Sequence, residues 1–321
     1  MKKYLAILVT VILIVSLCAL CACDNGDELT LYVPDGAPAL SVAKIINDKS
    51  VGKQPVKAVV TTGEDVVAKC GSGEAEMAVL PTNAAVKICN QRNDYCLFSV
   101  NVYGVLYIVG TERIDSISDL QGKTLHSIGL GNTPEYVFKT ICDVQNVKYT
   151  GENAIDIQYK ADASAINPLI LNGSAKFALI GEPAVTQLIT NAQKKNIEVN
   201  TLFDLQELWQ RATGSEVKGY PQASMIVKKD LLTDKFAKEL TTALSENADY
   251  ISANCNALNA LLKGVGSALD INYTAELLGR CNLTFIAAHS AKADIEKYLS
   301  TFPAMANLLP LSDDIIYEAS N

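Results

Sequence analysis

Few of the 321 residues have the type and spacing for covalent chemistry. Gly122-Lys123-Thr124 looks like the end of a phosphate-binding loop. The G-x-x-x-x-G-K-[ST] pattern, however, needs glycine at 117, where Ile117 stands, and the segment leads into a predicted strand rather than out of one. Gly129-Leu130-Gly131 follows a strand and opens a helix, as dinucleotide loops do. The third glycine of that motif is replaced by Pro134, so the segment reads as a loop lining a cleft. There is no HExxH and no GxSxG. His126 on an apolar strand and His289 in an alanine-rich stretch read as structural rather than as catalytic bases. Cys70, Cys89, Cys96, Cys142, Cys255 and Cys281 show no CxxC or zinc-type spacing. Two readings stand for them: disulfides, which an even number in an exported chain permits, and buried free thiols. No cofactor or metal is expected.

What remains is noncovalent binding. The best-placed residues lie where a strand runs into a helix: Asp35-Gly36-Ala37-Pro38, Pro81-Thr82-Asn83-Ala84, Gly131-Asn132-Thr133-Pro134 and Gly181-Glu182-Pro183. The first N–H groups of a helix have no partner within it and carry partial positive charge. These segments contain no Lys or Arg, but they contain Asp35 and Glu182. Like charges ~4 Å apart repel by ~4 kcal/mol at an effective dielectric of ~20. A neutral or donor-rich solute therefore suits the segments better than a sulfate-like dianion. The competing reading has both carboxylates serving their own helices.

Such residues need strand–helix units to position them. The pattern predicts strands at 29–33, 56–61, 77–80, 97–102, 105–110, 124–128, 156–159, 177–180, 199–203 and 224–227. Helices are predicted at 37–48, 64–70, 83–90, 134–144, 163–171, 183–194 and 204–211, with an all-helical chain after the strand at 224–227. There Phe236, Leu240, Leu244, Ile251, Cys255, Leu258 and Leu262 keep one apolar face. The alternation predicts mostly parallel α/β sheets. A weak repeat adds to this. GEAEMAVLPTNAAV at 73–86 matches GSAKFALIGEPAVT at 173–186, pairing Gly73 with Gly173, Ala75 with Ala175, Ala78 with Ala178 and Ala84 with Ala184. Upstream, Pro38 and Pro134 each open a helix, a position proline favours. Two similar lobes follow, and the chain length suits about two domains.

Composition narrows the function. With 49% hydrophobic residues the chain can bury a core, and its net charge of -8 argues against a nucleic-acid partner. Residues 1–3 are Met-Lys-Lys, and 4–22 carry no charge. The run closes in Leu20-Cys21-Ala22-Cys23, followed by Asp24-Asn25-Gly26-Asp27-Glu28. This reads as a secretory signal; the competing reading is a membrane anchor, since ~20 apolar residues can span a bilayer. The cysteine junction resembles the lipobox of bacterial lipoproteins. That resemblance implies a signal peptide over 1–22, lipidation (palmitate among the acyl groups) at Cys23 and a tether over 23–28.

Together these features resemble the solute-binding lipoproteins of bacterial ABC importers, in the nitrate/sulfonate/taurine and thiamine-precursor class. The segments that carry the resemblance are VPDGAPAL, AEMAVLPTNAAV, GVLYIVG, SISDLQGKTLHSIGLGNTPEYVF and AKFALIGEPAV. It implies an α/β, two-lobed periplasmic-binding-protein-like fold of type II, with a helical C-terminal region packing on the first lobe. Lobe I would hold 29–102 plus 225–321 and lobe II 111–219, with crossings at 103–110 and 220–224. The implied site gathers Asp35, Gly36, Ala37, Thr82, Asn83, Gly131, Asn132, Thr133, Glu182 and Gln222. Tyr103 and Tyr220 at the crossings would flank a planar ring or pack the hinge. The implied function is capture of a small polar organic solute for an ABC permease and its ATPase. The implied protein is a non-enzymatic monomer on the extracytoplasmic face of the cell membrane. The alternatives are a lipid-anchored sensory protein and an enzyme of the pyrimidine-synthase-like branch, whose cysteine cluster has no counterpart here.

Overall fold

The computed structural model describes residues 27–216 and 218–318. The expected signal segment and Cys23 lie outside the described residues. Along the chain the strands are β1 (Leu29–Pro34), β2 (Ser50–Val51), β3 (Gln54–Thr61), β4 (Met77–Pro81), β5 (Tyr95–Val102), β6 (Leu106–Gly110), β7 (Thr124–Ile128), β8 (Asp156–Lys160), β9 (Phe177–Gly181), β10 (Asn200–Asp204), β11 (Ala223–Lys228) and β12 (Leu283–Ala287). The helices are α1 (Ala37–Leu40), α2 (Ala43–Asp48), α3 (Gly63–Ser72), α4 (Thr82–Gln91), α5 (Thr133–Val144), α6 (Ala163–Leu171), α7 (Ala184–Lys194), α8 (Leu205–Thr213), α9 (Asp234–Ser245), α10 (Asn247–Ala253), α11 (Cys255–Lys263), α12 (Ala275–Arg280) and α13 (Ala288–Ser300).

The strands form two sheets, ordered β12-β5-β11-β4-β1-β3-β2 and β10-β6-β9-β7-β8. In the first, β1 pairs parallel with β3 and β4. In the second, β7 pairs parallel with β8 and β9. The strands next to these cores run the other way: β11 is antiparallel to β4 and β5, and β6 to β9 and β10. Both sheets are therefore mixed, which corrects the expectation of mostly parallel sheets. The reason is topological. β6 and β11 each enter their sheet straight from a crossing rather than through a helical return, so nothing imposes a parallel direction.

The repeat has a structural counterpart. Met77 and Ala78 lie opposite Leu31 and Tyr32 in one sheet, and Phe177 and Ala178 lie opposite Leu125 and His126 in the other. The spatial run β5-β11-β4-β1-β3 thus corresponds to β10-β6-β9-β7-β8. The alanines let helices approach both strands closely; Ala78 and Ala178 are fully buried.

Three further expectations change. The single face across 236–262 is three helices, α9 to α11. At the first joint Asn247 is buried: it donates to the Leu40 carbonyl at 3.0 Å and accepts from the Lys44 N–H at 2.9 Å. These long-range bonds fix the joint against α1 and α2. The segment after 228 also contains a strand, β12, antiparallel to β5 at the sheet edge with a register shift. Five half-buried residues between two helices do not distinguish strand from helix by pattern. The expected helix at 37–48 divides into α1 and α2, because the Ser41 hydroxyl bonds back to the Pro38 carbonyl at 2.7 Å.

The C-terminal region packs on the first sheet, α13 against β5 and β12. Its end reaches further. Tyr298 stacks on Tyr220 at 5.7 Å, and Trp209 of α8 sits 5.7 Å from Tyr298 and 5.8 Å from Phe302. The six cysteines Cys70, Cys89, Cys96, Cys142, Cys255 and Cys281 are free. Burial pushes the Cys70 and Cys142 thiols up to about 12, so they sit as small apolar groups.

Candidate functional site

The carboxyl ends of the parallel strands of both sheets face one cavity of about 160 Å³. A space of roughly 150 Å³ holds a benzene ring. The wall is mostly aliphatic and contains four prolines, Pro34, Pro38, Pro81 and Pro134, but no aromatic residue. Two of the helices that start around it, α3 and α6, begin at a side-chain cap. Thr62 accepts from the Asp65 N–H at 3.2 Å at the start of α3. Asp162 accepts from the Ser164 N–H at 2.8 Å at the start of α6. Such caps typically stabilise a helix by about 1 kcal/mol.

The expected residues are distributed as follows. Asp35, Gly36, Ala37, Asn132, Thr133, Glu182 and Gln222 line the cavity. Thr82, Asn83 and Gly131 stand behind or beside the wall. The Thr82 and Ser224 hydroxyls bond at 2.8 Å inside the first sheet. Asn83 donates to the Gly131 carbonyl at 3.2 Å, joining α4 to the loop before α5. Tyr103 and Tyr220 do not line it. Tyr220 is enclosed by Trp209 and Tyr298, and its hydroxyl donates to Gln206 at 3.1 Å. Burial raises the Tyr220 phenol well above its ordinary value, and it raises Tyr103 to about 12. Sequence reasoning missed the wall residues Glu64, Ile128, Leu130, Asp162 and Leu269. The signal for Glu64 and Asp162 was present, since both belong to helix starts that follow strands.

The carboxylates on the wall differ in how they are used. Asp35 accepts from the Ser267 hydroxyl at 2.7 Å and from the Ala268 and Gly36 N–H groups at 2.8 and 2.9 Å. Glu182 is 4% exposed. It accepts from the Thr186 N–H and hydroxyl at 3.1 and 3.0 Å and from Arg280 Nε at 3.0 Å. Arg280 belongs to α12 of the first-sheet half, so this ion pair spans the two halves. Burial alone would lower the Arg280 pKa; Glu182 and Glu276 outweigh it and the pKa is raised. Glu64 is exposed and makes no ion pair or side-chain hydrogen bond among the described residues.

A second tie crosses nearby. The Tyr298 hydroxyl donates to Thr133 Oγ1 at 3.0 Å, and the Thr133 hydroxyl lies 3.3 Å from the Gln222 carbonyl. The Gln222 side-chain carbonyl accepts from the Val105 N–H at 2.8 Å, joining the two crossings. The polar side chains of the wall are carboxylates, hydroxyls and amides, with no His, Cys, Lys, Arg or Tyr among them. The arrangement can enclose a compact molecule and bond it.

No protein-family model matches the chain, and no curated protein matches it. Solved structures do. An ABC transporter protein of Parabacteroides distasonis is 19% identical with a TM-score of 0.73, covering 92% of this chain and 100% of its own. The alkanesulfonate-binding protein of Xanthomonas axonopodis pv. citri bound to MOPS is 12% identical with a TM-score of 0.62, covering 91% of this chain and 96% of its own. A binding protein of an ABC phosphonate transporter from Pseudomonas aeruginosa is 11% identical with a TM-score of 0.54, covering 90% of this chain and 91% of its own. The fold is the two-lobed, periplasmic-binding-protein-like α/β fold.

Proposed function

We propose that the protein is the lipid-anchored solute-binding component of an ABC import system. It captures a small polar organic solute between two lobes and delivers it to the permease. The observation that carries this reading is the cavity, enclosed by helix starts from both sheets in a fold shared with ABC-importer binding proteins. Ligands of open α/β sheets bind at such strand ends. The lobes are 29–102 plus 225–321 and 111–219, and they close by hinge motion about the parts of the crossings 103–110 and 220–224 that precede β6 and β11. Cys23 carries the lipid and holds the protein on the extracytoplasmic face. Among the described residues no helix is long and apolar enough to cross a membrane.

Two experiments test the reading. Mass spectrometry of small molecules released from protein purified from its native host should find one solute in stoichiometric amount. Conversion of an added candidate to product would instead point to an enzyme. Replacing Cys23 with Ser should release the protein from the membrane fraction. A variant that stays membrane-bound with the same processed N-terminus removes the anchor from the proposal.

A further inference from the structure

Resting on the reading of this cavity as a solute site, we infer that it selects a compact organic cation, an ammonium on an apolar body, and rejects anions. The helix starts around the cavity would ordinarily attract anions. At most of them the chain's own acids stand instead; α4, which follows Pro81, has no acid in its first turn. Asp35 holds the Gly36 N–H before α1, Asp162 caps α6, and Glu182 holds the Thr186 N–H of α7. Glu135 lies in the first turn of α5, bonded to the Gly131 N–H and to Lys139. Glu64 and Asp65 fill the first turn of α3.

The cations that could reverse this field are absent from the wall or already engaged. No Lys, Arg or His lines the cavity, against four carboxylates, Asp35, Glu64, Asp162 and Glu182. Arg280 is the nearest guanidinium to the wall, and its Nε, Nη1 and Nη2 go to Glu182, Glu276 and Thr186. Lys160 ends β8 one residue before the wall residue Ala161 but does not line the cavity. An anionic head would meet excess negative charge with no cation on the wall, whereas an ammonium would meet the Glu64 carboxylate, which has no partner among the described residues. Val105, Ile128, Leu130 and Leu269 supply apolar surface for its body.

The test uses the purified protein and three probes that share a butyl chain: butylammonium, butan-1-ol and butanesulfonate. Saturation-transfer NMR detects weak binding, and competition gives relative affinity. Butylammonium should bind at least about tenfold tighter than butanesulfonate, and added salt should weaken it. Glu64→Gln should reduce butylammonium binding several-fold and leave butan-1-ol unchanged; Glu64→Lys should invert the preference toward the sulfonate. Glu64 is exposed, so Glu64→Gln should keep close to the wild-type unfolding midpoint, and Glu64→Lys, a cation in the first turn of α3, should lower it only slightly. Equal or tighter binding of butanesulfonate to the wild type, or of butan-1-ol, overturns cation selection. So does butylammonium binding that ignores both salt and Glu64. Failure of all three probes to bind counts against the cavity as a solute site, and so against the premise rather than the charge selection.

Discussion

Glu182 is buried while its partner Arg280 is partly exposed, and this asymmetry sets what each substitution should do. Arg280→Met leaves a buried carboxylate with only its Thr186 bonds. Losing a hydrogen bond to a charged group costs about 1.5–3 kcal/mol, toward the low end where solvent can enter. Glu182→Gln keeps an acceptor and removes the buried charge, so it should cost less. Urea unfolding of both variants checks the order; equal losses would mean the charge plays no part. Glu135 gives a pH prediction. Burial pushes its carboxyl up, but Lys139 and the Gly131 N–H outweigh that and hold the pKa below the ordinary carboxylate value. A carboxyl lowered by folding contributes stability above its unfolded pKa of ~4.3 and loses it as pH falls through the folded value. Stability should therefore decline below about pH 4.3, and Glu135→Gln should flatten that decline. An unchanged acid limb in the variant would assign the decline to other groups.

Among the elements, the two crossings depend on close backbone approach. Gly104 and Gly219 both have positive φ, and a Cβ on Gly219 would lie 2.7 Å from the Tyr103 carbonyl oxygen. Gly219→Ala must therefore adopt a left-handed conformation and push Tyr103 away. A strained position of this kind costs about 1–3 kcal/mol. Denaturant midpoints should fall accordingly, whereas Gly214→Ala, also at positive φ but in open space, should lose less. Comparable losses would show that backbone conformation, not the crossing contact, sets the cost.

On the scale of the whole molecule, one apolar cluster runs through both sheets, from Leu97 and Val100 to Leu125 and Phe177, by way of Trp209, Tyr220 and Tyr298. On the proposed hinge reading, this aromatic joint stays packed while the Glu182–Arg280 tie opens. Arg280→Met should then shift the solute-free protein toward a larger radius of gyration in small-angle scattering. The solute released from native protein should restore the compact form. Identical scattering from wild type and variant, with and without that solute, would leave the tie as a stabilising contact and nothing more.

The local elements and the two-lobed repeat were legible in the sequence, because capping, strand runs and the 73–86/173–186 match are properties of neighbouring residues. Asp35, Asn132, Thr133 and Glu182 could be placed near a cleft because strand-to-helix junctions converge in an open α/β sheet. Only the tertiary structure decided what their side chains meet. Arg280 reaches Glu182 across 98 residues, and Ser267 reaches Asp35 across 232. Tyr220 turns into the Trp209–Tyr298 cluster because packing an aromatic ring there removes it from water. β12 becomes a strand because β5 offers it a free edge; a short apolar run takes the form that its spatial neighbour can hydrogen-bond.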